Sequence, residues 1–263
     1  VKRVGLVPAA GSANRIAPLP CSKEIFPVGY GNAGGKGGRR PRVACQSLLE
    51  KMATAGAKTA FIVTRPDKWD IPAYLGSGKG MGVGLAYIMT DPTPGAPYTL
   101  DQAFPFVNDA LILFGFPDIV FDPDDAFLRL LGRQTETDAD IVLGLYRASR
   151  PHKMDMVALD PSGRIREIVI KPGATDLTHT WIIAVWTPVF TRFMNGFLAA
   201  AQAADKRPPG ELHVGDVVRT AISQGVRAET VVFEDGRYVD IGTPEDLYSA
   251  VRENIQSLET ENT

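Results

Sequence analysis

Ala9, Ala10, Gly11, Ser12 and Ala13 follow closely on the apolar run Val4-Gly5-Leu6-Val7. No bulky side chain stands among them. The backbone can therefore approach a ligand and offer its N–H groups to phosphate oxygens. Asn14 and Arg15 come next, then Lys23. Arginine brings a planar fork of donors and lysine a mobile point charge. A buried strand, a loop of small residues and two cations make up what a polyphosphate site needs. Further on, residues 110–118 read as a central strand that ends in a sharp turn at Pro117 and the carboxylate of Asp118. Asp240 stands at the end of another short run, Arg237-Tyr238-Val239. If both strands belong to one parallel-rich sheet, the two carboxylates meet at its carboxyl edge, where open α/β sheets bind ligands.

The elements that must position these groups can be taken in order. Residues 29–40 are rich in glycine and predict a solvated loop, or a lid over the phosphates. They are not a P-loop, because Gly37 follows Lys36 where Ser or Thr is needed. Pro41 can open a helix running to Gly56, and Ala60–Thr64 is the next buried strand, giving a right-handed βαβ unit. The glycine cluster 75–84 matches no G-x-G-x-x-G frame and predicts a turn before an edge strand at 85–89. A helix at 125–131 and a strand at 140–146 follow. Residues 156–170 form a hairpin around Pro161-Ser162-Gly163. A strand at 181–186 and helices at 188–204 and 211–223 come next. Asp235-Gly236 predicts a second hairpin between 231–233 and 237–241. Gly242-Thr243-Pro244-Glu245 then caps a last helix.

Composition bounds the function. The 263 residues carry a net charge of -2 and are 44% hydrophobic. That supports a real core, and it gives no electrostatic footprint for nucleic acid or a membrane surface. Cys21 and Cys45 form neither a disulfide framework nor zinc spacing, so a reduced, cytoplasmic protein is expected. His152, His179 and His213 lack metal-ligand spacing and read as ordinary polar residues. No run reaches the length of a membrane span, and the start shows no signal pattern.

The ordered set of segments resembles the sugar-phosphate nucleotidyltransferases, in particular the glucose-1-phosphate thymidylyl- and uridylyltransferases. Residues 10–18 stand for that family's G-G-x-G-T-R-L-x-P, and Ser22-Lys23 for its S/P-K. Leu100-Asp101-Gln102-Ala103 is similar to G-L-A-Q-A, residues 113–118 to L-G-D, and Ile170-Lys171-Pro172 to E-K-P. Residues 210–216 are similar to G-E-x-x-x-x-D, and 238–244 to W-x-D-x-G-T. The likeness covers roughly residues 2–250 and no single motif carries it.

The resemblance implies a single domain over 1–263: a three-layer α/β sandwich with a mainly parallel mixed sheet. Its nucleotide part would span about 1–145 and its sugar-phosphate part about 146–250. The implied reaction is attack by a sugar 1-phosphate on the α-phosphorus of a nucleoside triphosphate, with Mg²⁺ and release of pyrophosphate. Arg15, Lys23 and Asp118 would be catalytic. Ala10, Gly11, Ser12, Ala13, Asn14, Gln102 and Pro117 would hold the nucleotide, Gln102 by pairing with the base edge. Lys171, Asp155, Trp181 and Arg219 would face the sugar phosphate, and Asp118 with Asp240 the metal. A homo-oligomer is compatible with the family. Its C-terminal regulatory helices are expected to be missing, since the chain closes near Gln256.

Departures cluster on the sugar side. Asp155 stands where the family has the glycine of Y-G-V-V, Ile170 where it has the glutamate of E-K-P, and Ile182 where it has the glycine of T-G-x-Y. Triphosphate and metal handling is therefore expected to be better kept than hexose recognition. The alternative is a regulatory protein of the same fold that binds ligand without turnover. A dehydrogenase is disfavoured, because no G-x-G-x-x-G follows the first strand.

Overall fold

The computed structural model describes residues 1–32, 39–203 and 210–260. In chain order, β1 (Arg3–Pro8) leads through the small-residue loop to β2 (Pro27–Asn32), β3 (Arg39–Val43), α1 (Ala44–Thr54), β4 (Thr59–Thr64), α2 (Asp70–Leu75) and β5 (Gly84–Met89). Next come α3 (Ala96–Asp101), α4 (Phe104–Val107), β6 (Leu111–Gly115), β7 (Ile119–Phe121), α5 (Ala126–Thr137), β8 (Ile141–Arg147), β9 (Met156–Leu159) and β10 (Ile165–Val169). The chain continues with β11 (His179–Trp186), α6 (Pro188–Ala203), α7 (Val214–Ser223), β12 (Ala228–Phe233), β13 (Tyr238–Asp240) and α8 (Pro244–Thr260).

The main sheet has nine strands. β5, β4, β1 and β6 are parallel neighbours in that order. β11 runs antiparallel to β6 and β8, and β12 pairs in parallel with β8. β9 takes over the edge of β11 beyond the end of β6 and carries β10. Period-2 alternation divides the core between two faces. Val7, Leu113 and Val142 meet α1 and α5, whereas Leu6, Phe114 and Leu143 meet α6 and α7. The expected three-layer α/β architecture is thus present, and one sheet runs through both the amino- and carboxyl-terminal parts.

Two local readings need correction. Pro41 does not start a helix. It pairs with Tyr30 in the β2–β3 ribbon, and α1 begins at Ala44. A two-stranded ribbon has open edges, where a residue without an N–H is tolerated. The loop expected at 29–40 is flanked by these strands, and its part at 33–38 lies outside the described residues. The last helix before β12 starts at Val214, later than expected, because His213 and Asp216 cap it reciprocally.

The larger correction concerns Asp235-Gly236, which closes no hairpin. β12 stays in the main sheet beside β8, while β13 leaves it and pairs antiparallel with β7. Gly236 makes this departure possible: a Cβ there would lie 2.7 Å from Phe233 Cβ and 2.8 Å from Tyr146 Cε1. As a result Asp240 faces Ile119, and the Ile241 N–H donates to the Asp118 carbonyl at 3.0 Å. The two carboxylates meet across a small ribbon, not along one sheet edge as expected.

Close approach of α1 to the sheet rests on Gly5. A Cβ at this position would stand 2.7 Å from Met52 Sδ and 2.8 Å from Ala60 Cβ. Gly5→Val is therefore expected to lower stability by about 1–3 kcal/mol through overpacking, read as a shifted midpoint in urea unfolding.

Candidate functional site

Above the carboxyl ends of β1, β4 and β6 and the amino end of β11 lies a cleft of about 350 Å³. That size suits a small ligand. Ala10, Gly11 and Ser12 line it, and the Ala9 N–H bonds to Val63 O at 2.7 Å, fixing the loop to β4. Ala13 and Asn14 do not line it. Ala13 adopts a left-handed φ of 52° and its carbonyl accepts the Ile16 and Ala17 N–H groups at 3.0 and 3.1 Å. This turn brings Arg15 back to the cleft wall, close enough to Gly242 that an added Cβ would be 3.2 Å from Nη2.

The segment after β4 braces the loop. Arg65 Nη1 donates to Ser12 Oγ at 3.2 Å, and Asp70 accepts the Ser22 N–H and hydroxyl at 2.6 and 2.7 Å. Ser22 precedes Lys23, whose ammonium forms an ion pair with Asp118. Burial works against both charges, but their mutual attraction and hydrogen bond outweigh it. Lys23 is held above the ordinary lysine range and Asp118 below the usual carboxylate range. Asp240 fares differently. Burial first, then the like charge of Asp118, push its carboxyl from 3.8 up to about 6, although it accepts the Gly242 N–H at 2.8 Å.

Thr93, Gly95, Ala96 and Thr99 form another wall. The Thr93 and Thr99 hydroxyls are bonded to each other at 2.6 Å. Gln102 lies one turn beyond Thr99, outside the cleft, with its amide donating to Tyr98 O at 3.2 Å. Thr99 therefore occupies the wall that was expected to carry Gln102. The missed signal is Pro94-Gly95: Gly95, at φ 156°, starts α3, and a Cβ there would meet Leu212 O at 2.3 Å.

Pro117, Asp155, Lys171 and Trp181 line the cleft as expected. Trp181 reaches it because of a bulge in β11. Trp181 pairs with Leu145 and Ile183 with Gly144, which leaves Ile182 as the extra residue. The bulge reverses the alternation, so the indole turns toward Phe114 and Phe116 while Ile182 is buried on the α1 side. Neither Ile182 nor Ile170 lines the cleft, so these two departures on the sugar side do not face it directly. Arg219 points elsewhere and pairs with Asp216 at 2.9 Å.

Lys171 holds an unusual φ of 40° before Pro172, with Nζ 3.3 Å from His213 Nε2. Strained non-glycine backbone in a cleft is a marker of function. His213 was expected to be an ordinary polar residue, yet it lines the cleft and caps α7. Lys153, Glu211, Glu24 and Arg65 also line the cleft without having been singled out. Burial raises the pKa of Asp155 despite His213 and Lys171 nearby.

The Asp240 shift has a signed consequence. The folded protein holds this proton more tightly than the unfolded chain, so the associated stability is complete below pH 3.8 and is lost as pH rises through about 6. Asp240→Asn is expected to be more stable than the parent above pH 6, with melting temperatures converging toward pH 4. A variant no more stable than the parent at neutral pH would contradict this account of Asp240.

Comparison with known proteins agrees with this architecture. The chain is 24% identical to a glucose-1-phosphate thymidylyltransferase of Neisseria gonorrhoeae, over 97% of this chain and 85% of that protein. A counterpart from Neisseria meningitidis serogroup A is 23% identical over the same shares. Two solved structures share the fold. One is a candidate glucose-1-phosphate thymidylyltransferase of Bacillus anthracis in complex with a sucrose, at TM-score 0.78 and 20% identity, covering 96% of this chain and 95% of that one. The other is a UDP-glucose pyrophosphorylase complexed with UDP-glucose, at TM-score 0.77 and 16% identity, covering 98% and 100%. The profile of the nucleotidyl transferase family matches residues 4–257, and the chain belongs to that family.

Proposed function

We propose that this protein transfers a nucleoside monophosphate from dTTP or UTP to a sugar 1-phosphate and releases pyrophosphate. One observation carries the reading. A single cleft combines the small-residue loop, Arg15 and the Lys23–Asp118–Asp240 group with Lys171, which comes from the other half of the sheet. Two phosphate-binding ends in one cleft fit a donor and an acceptor that both carry phosphate.

In the reaction an acceptor phosphate oxygen forms a bond to the α-phosphorus, and the bond from that phosphorus to the pyrophosphate oxygen breaks. Such transfer depends on positioning and charge neutralisation. The loop N–H groups and Arg15 serve the negative charge that grows on the leaving pyrophosphate. Lys23 serves the α-phosphate, Lys171 the acceptor phosphate, and Trp181 with Asp155 the sugar. Thr93 and Thr99 stand at the wall assigned to the base.

The carboxylates also fit a divalent cation. Asp118 and Asp240 are half-buried side by side, and partial desolvation with the like charge of Asp118 resists ionisation of Asp240. Among the described residues no group of three or more His, Cys, Asp or Glu is placed to hold a metal ion. Phosphate oxygens and waters would have to complete the shell, as Mg²⁺ prefers. Asp118 and Asp240 would hold the ion, which supplies charge neutralisation on the phosphates.

Pyrophosphate release from dTTP, UTP and CTP, tried with Mg²⁺ over a panel of sugar 1-phosphates, tests the reading. At least one pair is expected to react, and Arg15→Ala or Asp118→Asn to lower its kcat by about 10²–10³-fold. Lys171→Ala is expected to raise KM for the acceptor more than for the nucleotide. Silence on every pair would defeat the proposal. Tight binding without product, indifferent to Asp118→Asn, would make the protein a binding module instead.

A further inference from the structure

Behind the small-residue loop stands a buried cation that the mechanism above does not use. Lys68 is 6% exposed and does not line the cleft. Its Nζ donates to Ala9 O at 2.8 Å, to Gly11 O at 3.2 Å and to Glu24 Oε1 at 2.6 Å. Glu24 is 2% exposed and adjoins Lys23. One ammonium group thus grips two carbonyls of the loop and the segment that delivers the lysine paired with Asp118.

The direction of those carbonyls matters. The peptide bonds after Ala9 and Gly11 are trans, since the only cis bonds among the described residues precede Pro18 and Pro123. In a trans peptide the carbonyl and the following N–H point opposite ways. Drawing Ala9 O and Gly11 O back toward Lys68 turns the N–H groups of Ala10 and Ser12 away from it, on residues that line the cleft. Without that grip, nothing in the side chains of Ala10 and Gly11 selects this orientation over its reverse.

We propose that Lys68 is a positioning residue: it never touches the nucleotide, and it aims the Ala10 and Ser12 N–H groups at the triphosphate through the carbonyls of Ala9 and Gly11. The proposal rests on reading the loop as a triphosphate site. Glu24 neutralises the buried ammonium and links the loop to Lys23, so donor N–H groups and the Lys23 ammonium are set by one arrangement.

Lys68→Met alone would leave Glu24 buried without its partner and can fail to fold. The informative variant is therefore Lys68→Met with Glu24→Gln, which removes both charges. It is expected to melt close to the parent, while its KM for the nucleotide rises about 10- to 100-fold, as misplaced binding groups do, and its KM for the sugar 1-phosphate stays unchanged. A lysine that only supported the fold would not split the two constants. A double variant with the parent's nucleotide KM, and the parent's affinity for UTP or dTTP by calorimetry, overturns the proposal. If the parent itself binds neither nucleotide, the functional reading fails instead. Amide hydrogen exchange at Ala10 and Ser12 then decides the positioning claim: altered exchange in the variant upholds it, and unchanged exchange overturns it.

Discussion

Asp118 and Asp240 are two half-buried carboxylates held side by side, and most of the site follows from what makes that tolerable. Ionising both would set like charges against each other in a poorly solvated place. Lys23 offsets the first, and Arg15 with the Gly242 N–H lessens the burden on the second. These groups come from three parts of the chain: the loop after β1, the end of β6 and the β7–β13 ribbon. A buried ion pair is weak evidence of net stability, because desolvation cancels much of its attraction. Here the balance holds the Asp240 carboxyl up at about 6. An arrangement that works against stability and sits in a cleft is better explained by chemistry than by folding.

The segments that bring these charges together differ in how legible they are. β1, β4, β6 and β8 are continuous apolar runs, and such runs announce buried strands whatever their partners. The loop with Arg15 and Lys23 follows directly on one of them, so its place at a sheet edge could be read locally. The β12–β13 connection could not. Asp235-Gly236 is a genuine turn signal, but which strand β13 joins is decided by β7, more than a hundred residues earlier. Turn chemistry fixes the local bend and leaves the partner to tertiary packing. Pro41 fails for the same reason: its fixed φ suits a helix start, yet β2 claims it.

Side-chain direction was harder still. The position of Trp181 in the cleft depends on one extra residue in β11, and no periodicity in the sequence marks Ile182 as that residue. On α3 the error was a single turn. Gln102 has the chemistry of a base reader, but Ala96 and Thr99 are the α3 residues facing the cleft, because Gly95 sets where the helix begins. Residue type names a candidate, and helix phase decides whether it reaches the ligand.

On the proposed reading, the two ends of the cleft would use different kinds of recognition. At the loop end the proposed donors are backbone N–H groups, whose presence does not depend on side-chain identity. At the acceptor end the corresponding backbone resource is already taken. The amino terminus of α7 is capped by Asp216, whose carboxylate accepts the His213 N–H. A helix terminus satisfied by a protein carboxylate has little left for a substrate phosphate. On the proposed reading, acceptor binding would then fall to side chains such as Lys171. Substitution alters side chains easily and backbone N–H groups hardly at all. On the proposed reading the acceptor can change while the triphosphate loop stays the same, and the departure at Asp155, which lines the acceptor end of the cleft, fits this.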